Sequence, residues 1–91
     1  MSSTANVFVQ QANNVNYYYL PYDGFSFTFC MEALQDLIPT QFPSLRDAML
    51  ASNGDTSTEY LYRDGQWLFA DPDCEDEDGW SPISKWDEEG Y

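Results

Sequence analysis

The sequence contains no histidine and very few bases. Its 91 residues include 16 aspartates and glutamates but only three lysines and arginines, so the formal net charge is −13 and the pI is near 4.1. Without histidine, a histidine-centred catalytic triad and an imidazole-based metal site are excluded. The three bases, Arg46, Arg63 and Lys85, are isolated in the sequence and provide no positive footprint for nucleic acid. We therefore expect no direct binding of DNA or RNA.

The sequence also lacks long apolar runs and is poor in cysteine. Nowhere do 18 apolar residues follow one another, and the first residues show no charged region followed by an apolar one. The two cysteines, Cys30 and Cys74, are weak support for a secreted disulfide scaffold. We expect a cytoplasmic protein with two free thiols and no contact with a membrane.

The length and the apolar content predict a single small domain. A chain of 91 residues has no room for a second core, and 43% apolar with 18% aromatic content is enough to fill one. The pattern predicts an α+β core over residues 1–70 and an acidic, tryptophan-anchored segment of the same domain over residues 71–91.

Two Asp-Gly dipeptides dominate the local signals. The run VNYYYLPYDGFSFTFC surrounds Asp23-Gly24, and TEYLYRDGQWLFAD surrounds Asp64-Gly65. Asp-Gly between β-rich runs is typical of a two-residue hairpin turn. The predicted pairs include Tyr18 with Phe29 in the first hairpin. In the second hairpin, Tyr60 pairs with Phe69 and Tyr62 with Trp67 on one face, and Leu61 with Leu68 on the other.

The remaining periodicity predicts one more strand and two helices. Asn6 to Gln11 alternates like a short strand, Met31 to Ile38 has helical spacing before Pro39, and a second helix starts near Pro43 or Ser44 and stops near Gly54. The expected fold is an antiparallel sheet of four to five strands packed on one or two short helices.

The densest charge lies in residues 71–91, DPDCEDEDGWSPISKWDEEGY. This segment has nine carboxylates and one cation, Lys85, so it carries about 8 of the 13 excess negative charges. Acidic blocks usually stay disordered, but large residues such as Trp80, Ile83 and Trp86 are depleted in disordered segments. We interpret the segment as a charged surface held by aromatic anchors. Trp80 is expected to pack on its own domain, whereas Trp86 is either a second anchor or a contact for a partner.

No pattern in the sequence predicts catalysis, a metal or a cofactor. Paired carboxylates can perform acid–base chemistry, but nothing marks one pair of the sixteen as buried. The run from Asp71 resembles a calcium-binding loop, yet its sixth position is Asp76 where that loop needs glycine. Cys74 lies among carboxylates, which disfavour a reactive thiolate. We expect a protein that is not an enzyme and that has no cofactor.

In an extended conformation, the acidic segment would place Asp71, Asp73, Glu75 and Glu77 in one row of charges, with Asp76 and Asp78 facing elsewhere. Alternate residues of an extended strand point the same way about 6.6 Å apart, a spacing of the same order as that of successive phosphates along one nucleic-acid strand. Asp55, Glu59 and Asp64 are expected to widen the row. The alternative is a solvated surface that serves only solubility. The predicted partner-binding residues are Asp71, Asp73, Glu75, Asp76, Glu77, Asp78, Asp87, Glu88, Glu89 and Trp86.

In size, scarcity of lysine and arginine, and aromatic content, the chain resembles the small acidic inhibitors that bacteriophages and mobile elements carry against host nucleic-acid enzymes. That group includes anti-restriction proteins, uracil-DNA glycosylase inhibitors and many anti-CRISPR proteins, and the resemblance is one of composition over the whole chain. It implies a noncatalytic inhibitor that mimics nucleic acid and blocks the basic channel of a host defence complex, with an anti-CRISPR role first and an anti-restriction role next. A phage-encoded protein of this kind would act in the bacterial cytoplasm.

Two other functions are compatible with the sequence. An immunity or antitoxin protein that neutralises a basic nuclease toxin would have the same electrostatics. A structural or assembly module of a phage would use the aromatic faces for contacts between copies. The expected partner in the leading hypothesis is a basic nucleic-acid-binding host protein or ribonucleoprotein complex, bound by a monomer or homodimer of this chain.

Overall fold

A computed structural model describes residues 3–71 and 79–83 as a small α+β domain built on one mixed sheet. The described strands follow the order β3-β2-β1-β4-β5-β6, and all neighbouring pairs are antiparallel except β1 and β4, which are parallel. The elements are β1 (Ala5–Gln10), β2 (Val15–Leu20), α1 (Phe27–Leu34), β3 (Thr40–Phe42), α2 (Leu45–Ala51), β4 (Thr58–Arg63), β5 (Gln66–Ala70) and β6 (Trp80–Pro82). The α+β prediction is confirmed. The sheet has six described strands where four to five were expected. The strands β3 and β6 were not predicted, because each has only three residues.

Each face of the sheet is buried under one helix. Successive side chains of a strand point to opposite faces, so Val7 and Tyr60 lie on one face, and Phe8 and Leu61 lie on the other. Helix α1 covers the first face, to which it contributes the buried Cys30. Helix α2 covers the second face with Ala48. The two hydrophobic clusters therefore lie on either side of the sheet.

The hairpin around Asp64-Gly65 forms in the predicted register. Tyr60 pairs with Phe69, Leu61 with Leu68 and Tyr62 with Trp67. Asp64 and Gly65 have φ angles of 55° and 77°, as a two-residue type I′ turn requires. The sequence prediction is confirmed for this hairpin, including the assignment of its two faces.

The predicted hairpin around Asp23-Gly24 is wrong. The chain leaves β2 at Leu20 and enters α1 at Phe27, so Tyr18 does not pair with Phe29. The physical cause is a helix N-cap, in which the Ser26 hydroxyl accepts a hydrogen bond from the Phe29 amide at 3.3 Å. The actual partner of β2 in a hairpin is β1, closed by a turn at which the Gln11 amide donates to the Asn14 carbonyl.

Helix α1 lies earlier in the chain than predicted, and α2 lies where it was predicted. The Met31 to Ile38 pattern marks only the second half of α1, which ends at Leu34. For α2, Ser44 is the N-cap and its hydroxyl accepts from the Asp47 amide at 3.2 Å. Within the described residues, no helix is long and apolar enough to cross a membrane.

The acidic segment is joined to the sheet by Trp80. This side chain is 6% exposed and packs in the cluster that contains Leu61 and Leu68 of the confirmed hairpin. The prediction that Trp80 anchors the segment to its own domain is confirmed. Residues 71–91 thus contribute a strand, β6, to the sheet.

Candidate partner-binding surface

A backbone hydrogen bond joins the two ends of the first half of the acidic segment. The Asp71 amide donates to the Gly79 carbonyl at 2.8 Å, and β5 and β6 pair directly beside it, with Ala70 opposite Trp80. Residues 72–78, which contain five carboxylates, connect these two points, and we call them the acidic loop. Their own placement lies outside the described residues, as does that of residues 84–91. The two ends of residues 72–78 are nevertheless fixed next to each other on the sheet.

Asp71 is part of this closure and does not form part of an exposed row. It is 8% exposed, and its Oδ2 accepts a hydrogen bond from the Ser81 hydroxyl at 2.9 Å. Ser81 is also buried. The structure therefore places Asp71 differently from the surface position that the sequence predicts, because this carboxylate is used inside the protein.

The other predicted contact residues belong to the part of the chain that is not described. They are Asp73, Glu75, Asp76, Glu77, Asp78, Trp86, Asp87, Glu88 and Glu89. Their role in partner binding stays a prediction from the sequence.

Further acids lie at the same end of the sheet as this loop. The register places five strand residues side by side along that end, namely Leu20, Ala5, Thr58, Ala70 and Trp80. The connections that leave this end carry Asp23, Asp55 and the base of the acidic loop at Asp71, and Glu59 lies one residue into β4. We call this end of the sheet, with Asp23, Asp55, Glu59 and Asp71, the acidic end.

Two of the three flanking acids predicted to widen the row are therefore at the acidic end. Asp55 is exposed and Glu59 is half-buried. Asp64 is at the opposite end of the sheet, in the turn between β4 and β5. Asp23 was not among the residues predicted to flank the row.

A buried amide holds the connection between α2 and β4. Asn6 is fully buried, and its Nδ2 donates to the Asn53 carbonyl at 2.8 Å and to Glu59 Oε2 at 3.0 Å. Its Oδ1 accepts from the Tyr17 hydroxyl at 2.7 Å, and that hydroxyl accepts in turn from the Asn53 amide at 3.3 Å. Burial is the main cause of a raised pKa of Tyr17. The network fixes both Glu59 and the start of the connection that carries Asp55.

The same connection is tied to the chain just before β1. The amides of Ser57 and Thr58 both donate to the Thr4 carbonyl, at 3.0 and 3.1 Å. The Thr4 amide donates back to the Ser57 hydroxyl at 3.2 Å. Asp55 is held within the connection itself, because its amide donates to Asn53 Oδ1 at 2.9 Å.

The connection that carries Asp23 is held by Gly24. The Gly24 amide donates to the Ser3 carbonyl at 3.2 Å, and its carbonyl accepts from the buried Tyr60 hydroxyl at 2.7 Å. A Cβ atom at Gly24 would lie 2.4 Å from the backbone of Thr4. The chain therefore passes so close to β1 here that only glycine fits. Asp23, just before it, has a φ of 55°.

A cavity of about 500 Å³ opens between α2 and the acidic end. Its lining includes Asn53, Thr56 and Glu59 from the α2–β4 region, and Ala70 next to the acidic loop. The described bases Arg46 and Arg63 do not line this cavity. They line a neighbouring cavity of about 420 Å³, which shares Met49 and Leu50 with it and also includes Trp80.

The described residues include several carboxylates and one cysteine, the side chains that metal sites and thiol chemistry use. Among them, no group of three or more histidine, cysteine, aspartate or glutamate side chains is arranged to hold a metal ion. Cys30 is a free thiol, and burial raises its pKa to about 11, so it stays protonated near neutral pH. Cys74 lies outside the described residues. The prediction of a buried, apolar Cys30 is confirmed.

Comparison with known proteins adds no further constraint. A scan against family models and searches of curated proteins and of solved structures found no match. Function must therefore be argued from the chain itself.

Sequence reasoning missed the network around Asn6. The signal that it offered was a polar residue inside an otherwise apolar strand, on the same face as Phe8. A buried amide normally has hydrogen-bond partners, so this position predicts a polar network even where the partners are unknown.

Proposed function

We propose that this protein is a noncatalytic acidic inhibitor that mimics nucleic acid. It occupies the basic DNA- or RNA-binding channel of a host defence complex, an anti-CRISPR target first and an anti-restriction target next. The observation that carries the proposal is the hydrogen bond from Asp71 to Gly79, which holds together the two ends of residues 72–78, with their five carboxylates, at the end of the sheet that carries Asp55 and Glu59. The protein acts in the cytoplasm, as a monomer or homodimer, without cofactor.

Closure of the loop matters because a mimic must present its charges without first ordering them. Fixing the backbone of a residue costs about 1 to 2 kcal/mol, and an unattached tail would pay that cost on binding. A loop whose two ends are already joined loses less freedom when a partner binds it. Glu59 is already positioned by Asn6.

The spacing of the acidic end suits a nucleic-acid groove. Adjacent strands lie about 4.8 Å apart, so Asp23 after β2 and the base of the acidic loop after β5 are separated by three strand spacings, about 14 Å. The major groove of duplex DNA is about 12 Å wide. Charges distributed over this distance match the scale on which a basic channel contacts two phosphate strands.

The net charge determines which partners are attracted. A chain with a charge of −13 is repelled by nucleic acid and by anionic membranes, and is drawn toward basic protein surfaces. The association should slow steeply as salt rises, because exposed charges are screened within about 10 Å at 0.1 M.

The test compares two variants of equal net charge. In Glu75→Gln/Glu77→Gln the acidic loop loses two carboxylates, and in Asp47→Asn/Asp64→Asn two exposed acids away from the acidic end are removed. Purified CRISPR effector–guide complexes and restriction complexes are assayed for binding to the wild type and for competition by duplex DNA.

We expect one class of complex to bind in competition with its target duplex, with affinity falling at higher salt. The loop variant should weaken binding about tenfold and the control less than twofold. Binding that survives replacement of all five loop acids by amides, or that persists unchanged with excess duplex DNA, would refute the proposal.

A further inference from the structure

A second surface of the domain is built to receive a positive charge. A pocket of about 310 Å³ lies beside α1, lined by Tyr22, Phe29, Glu32, Ala33, Asp36 and Leu37. The rings of Tyr22 and Phe29 are 5.5 Å apart at 51° and form one wall. Tyr22 is 53% exposed, so that wall is open to solvent. The volume is at the lower end of ligand pockets and suits a single side chain.

Three sources of negative potential meet at this pocket. Glu32 lies in the last turn of α1 and Asp36 just beyond the C-cap Gln35; both line the pocket and both are exposed. The C-terminal end of a helix carries a partial negative charge, and α1 has no basic residue in its last turn. Aromatic faces add the negative side of their quadrupoles. The three negative potentials add at the pocket, so a cation is favoured there.

The described chain does not supply that cation itself. Arg46 and Arg63 line a cavity beside α2, and α2 packs on the opposite face of the sheet from α1. Next to the pocket the surface is apolar, since Leu37 is 37% exposed and Ile38 is 95% exposed. A ligand with a charged head and an aliphatic stem would satisfy both parts.

We propose that this pocket binds a lysine or arginine side chain of a basic protein partner. The charged head lies between the two carboxylates and the aromatic wall, and the methylene stem packs on the apolar surface. The proposal deepens the proposed function, on which its biological role rests, by adding a contact separate from the acidic loop. The pocket itself is testable without knowing the partner.

The experiment titrates the protein with Nα-acetyl-arginine amide, followed by NMR of the Tyr22 and Phe29 rings and the Ala33 methyl group. Nα-acetyl-citrulline amide, which has the same shape without the charge, is the ligand control. We expect these signals to shift with the arginine probe and to stay in place with citrulline.

Variants then separate the pocket from the overall charge. Glu32→Gln/Asp36→Asn should weaken arginine binding about fivefold, because two exposed ion pairs are lost. Tyr22→Leu should weaken it about threefold through the loss of a cation–π contact. Asp47→Asn/Asp64→Asn, which has the same net charge as the pocket variant, should leave the affinity unchanged.

Equal binding of the citrulline probe, or an equal loss of affinity for the arginine probe in the two charge-matched variants, would refute the proposed cation pocket. The variant Glu75→Gln/Glu77→Gln should still bind the probe. Failure of the pocket would leave the loop-dependent competition with DNA unaffected, and failure of that competition would leave the pocket titration unaffected. The two proposals can therefore be rejected separately.

Discussion

Removing one oxygen atom, by Tyr17→Phe, should destabilise the whole domain. The Tyr17 hydroxyl is the donor to Asn6 Oδ1, and Asn6 is fully buried, so the variant leaves a buried acceptor without this donor. A buried acceptor left without a partner costs about 1 to 3 kcal/mol. The ring contact with Phe8, 5.5 Å between centroids, is retained in the variant. We expect a loss of about 2 kcal/mol in the free energy of unfolding.

The assay is urea denaturation followed by tryptophan fluorescence, with thermal unfolding as a second measurement. For a domain of this size, a loss of about 2 kcal/mol corresponds to a decrease in Tm of roughly 10 °C. The matched control is Tyr19→Phe, since Tyr19 lies on the same strand with 38% of its surface exposed. That change should stay within about 0.5 kcal/mol.

The same variant should also loosen the acidic end. The Asn53 amide loses its acceptor at Tyr17, so hydrogen exchange at Asn53 and Asp55 should become faster than global unfolding requires. If Tyr17→Phe and Tyr19→Phe prove equally stable, the network around Asn6 does not hold this connection and the reasoning is refuted.

Three further predictions concern the core and the loop base. Gly24→Ala should lower the free energy of unfolding by at least about 2 kcal/mol, because its Cβ would lie 2.4 Å from backbone atoms. The control is Gly54→Ala, which should change stability by less than about 1 kcal/mol because nothing lies within 4 Å of its Cβ. Equal chemical denaturation midpoints of the two variants would contradict this. Burial raises the pKa of Cys30 from 9.0 to about 11, so the thiol's stabilising contribution is present below pH 9 and is lost as pH rises to about 11. The stability difference between wild type and Cys30→Ala should shrink by about 2 to 3 kcal/mol over that window, and a constant difference would show that the thiol is not shielded. Asp71→Asn and Ser81→Ala should show a coupling energy of about 1 kcal/mol in a double-mutant cycle of unfolding, and additive effects would show that the loop base does not depend on this hydrogen bond.

The two Asp-Gly dipeptides show where local sequence suffices. At Asp64-Gly65 both residues have positive φ, and the flanking residues alternate between the two faces of the sheet, so the dipeptide and the strand pattern predict the same hairpin. At Asp23-Gly24 only Asp23 has a positive φ. The residues that follow have high strand propensity, but Phe27, Cys30, Met31 and Leu34 have the i, i+3, i+4, i+7 spacing of a helix. That periodicity and the Ser26 cap determined the structure, and the propensity did not.

The pairing of β1 with β4 was beyond prediction from sequence. Residues in contact there, such as Val7 and Tyr60, are more than fifty positions apart, and two helices and two strands intervene. This parallel pair brings Asn6 next to Glu59 and aligns the connections of the acidic end. Composition alone indicated an acidic surface but gave no information on which loops meet.

The proposed mimicry and a surface that serves only solubility make different demands on the acidic end. Solubility depends on net charge and would be provided equally by acids on any loop. Like charges at one end of a sheet repel one another, and this repulsion must be offset by structure that holds them. At the acidic end, Asn6, Thr4, Gly24 and Ser81 provide that structure through hydrogen bonds, most of them to backbone. Exposed acids elsewhere, such as Asp64 in its two-residue turn, need no such support. The proposed function requires charges in fixed positions and predicts this difference, and the charge-matched pair of double variants tests that prediction.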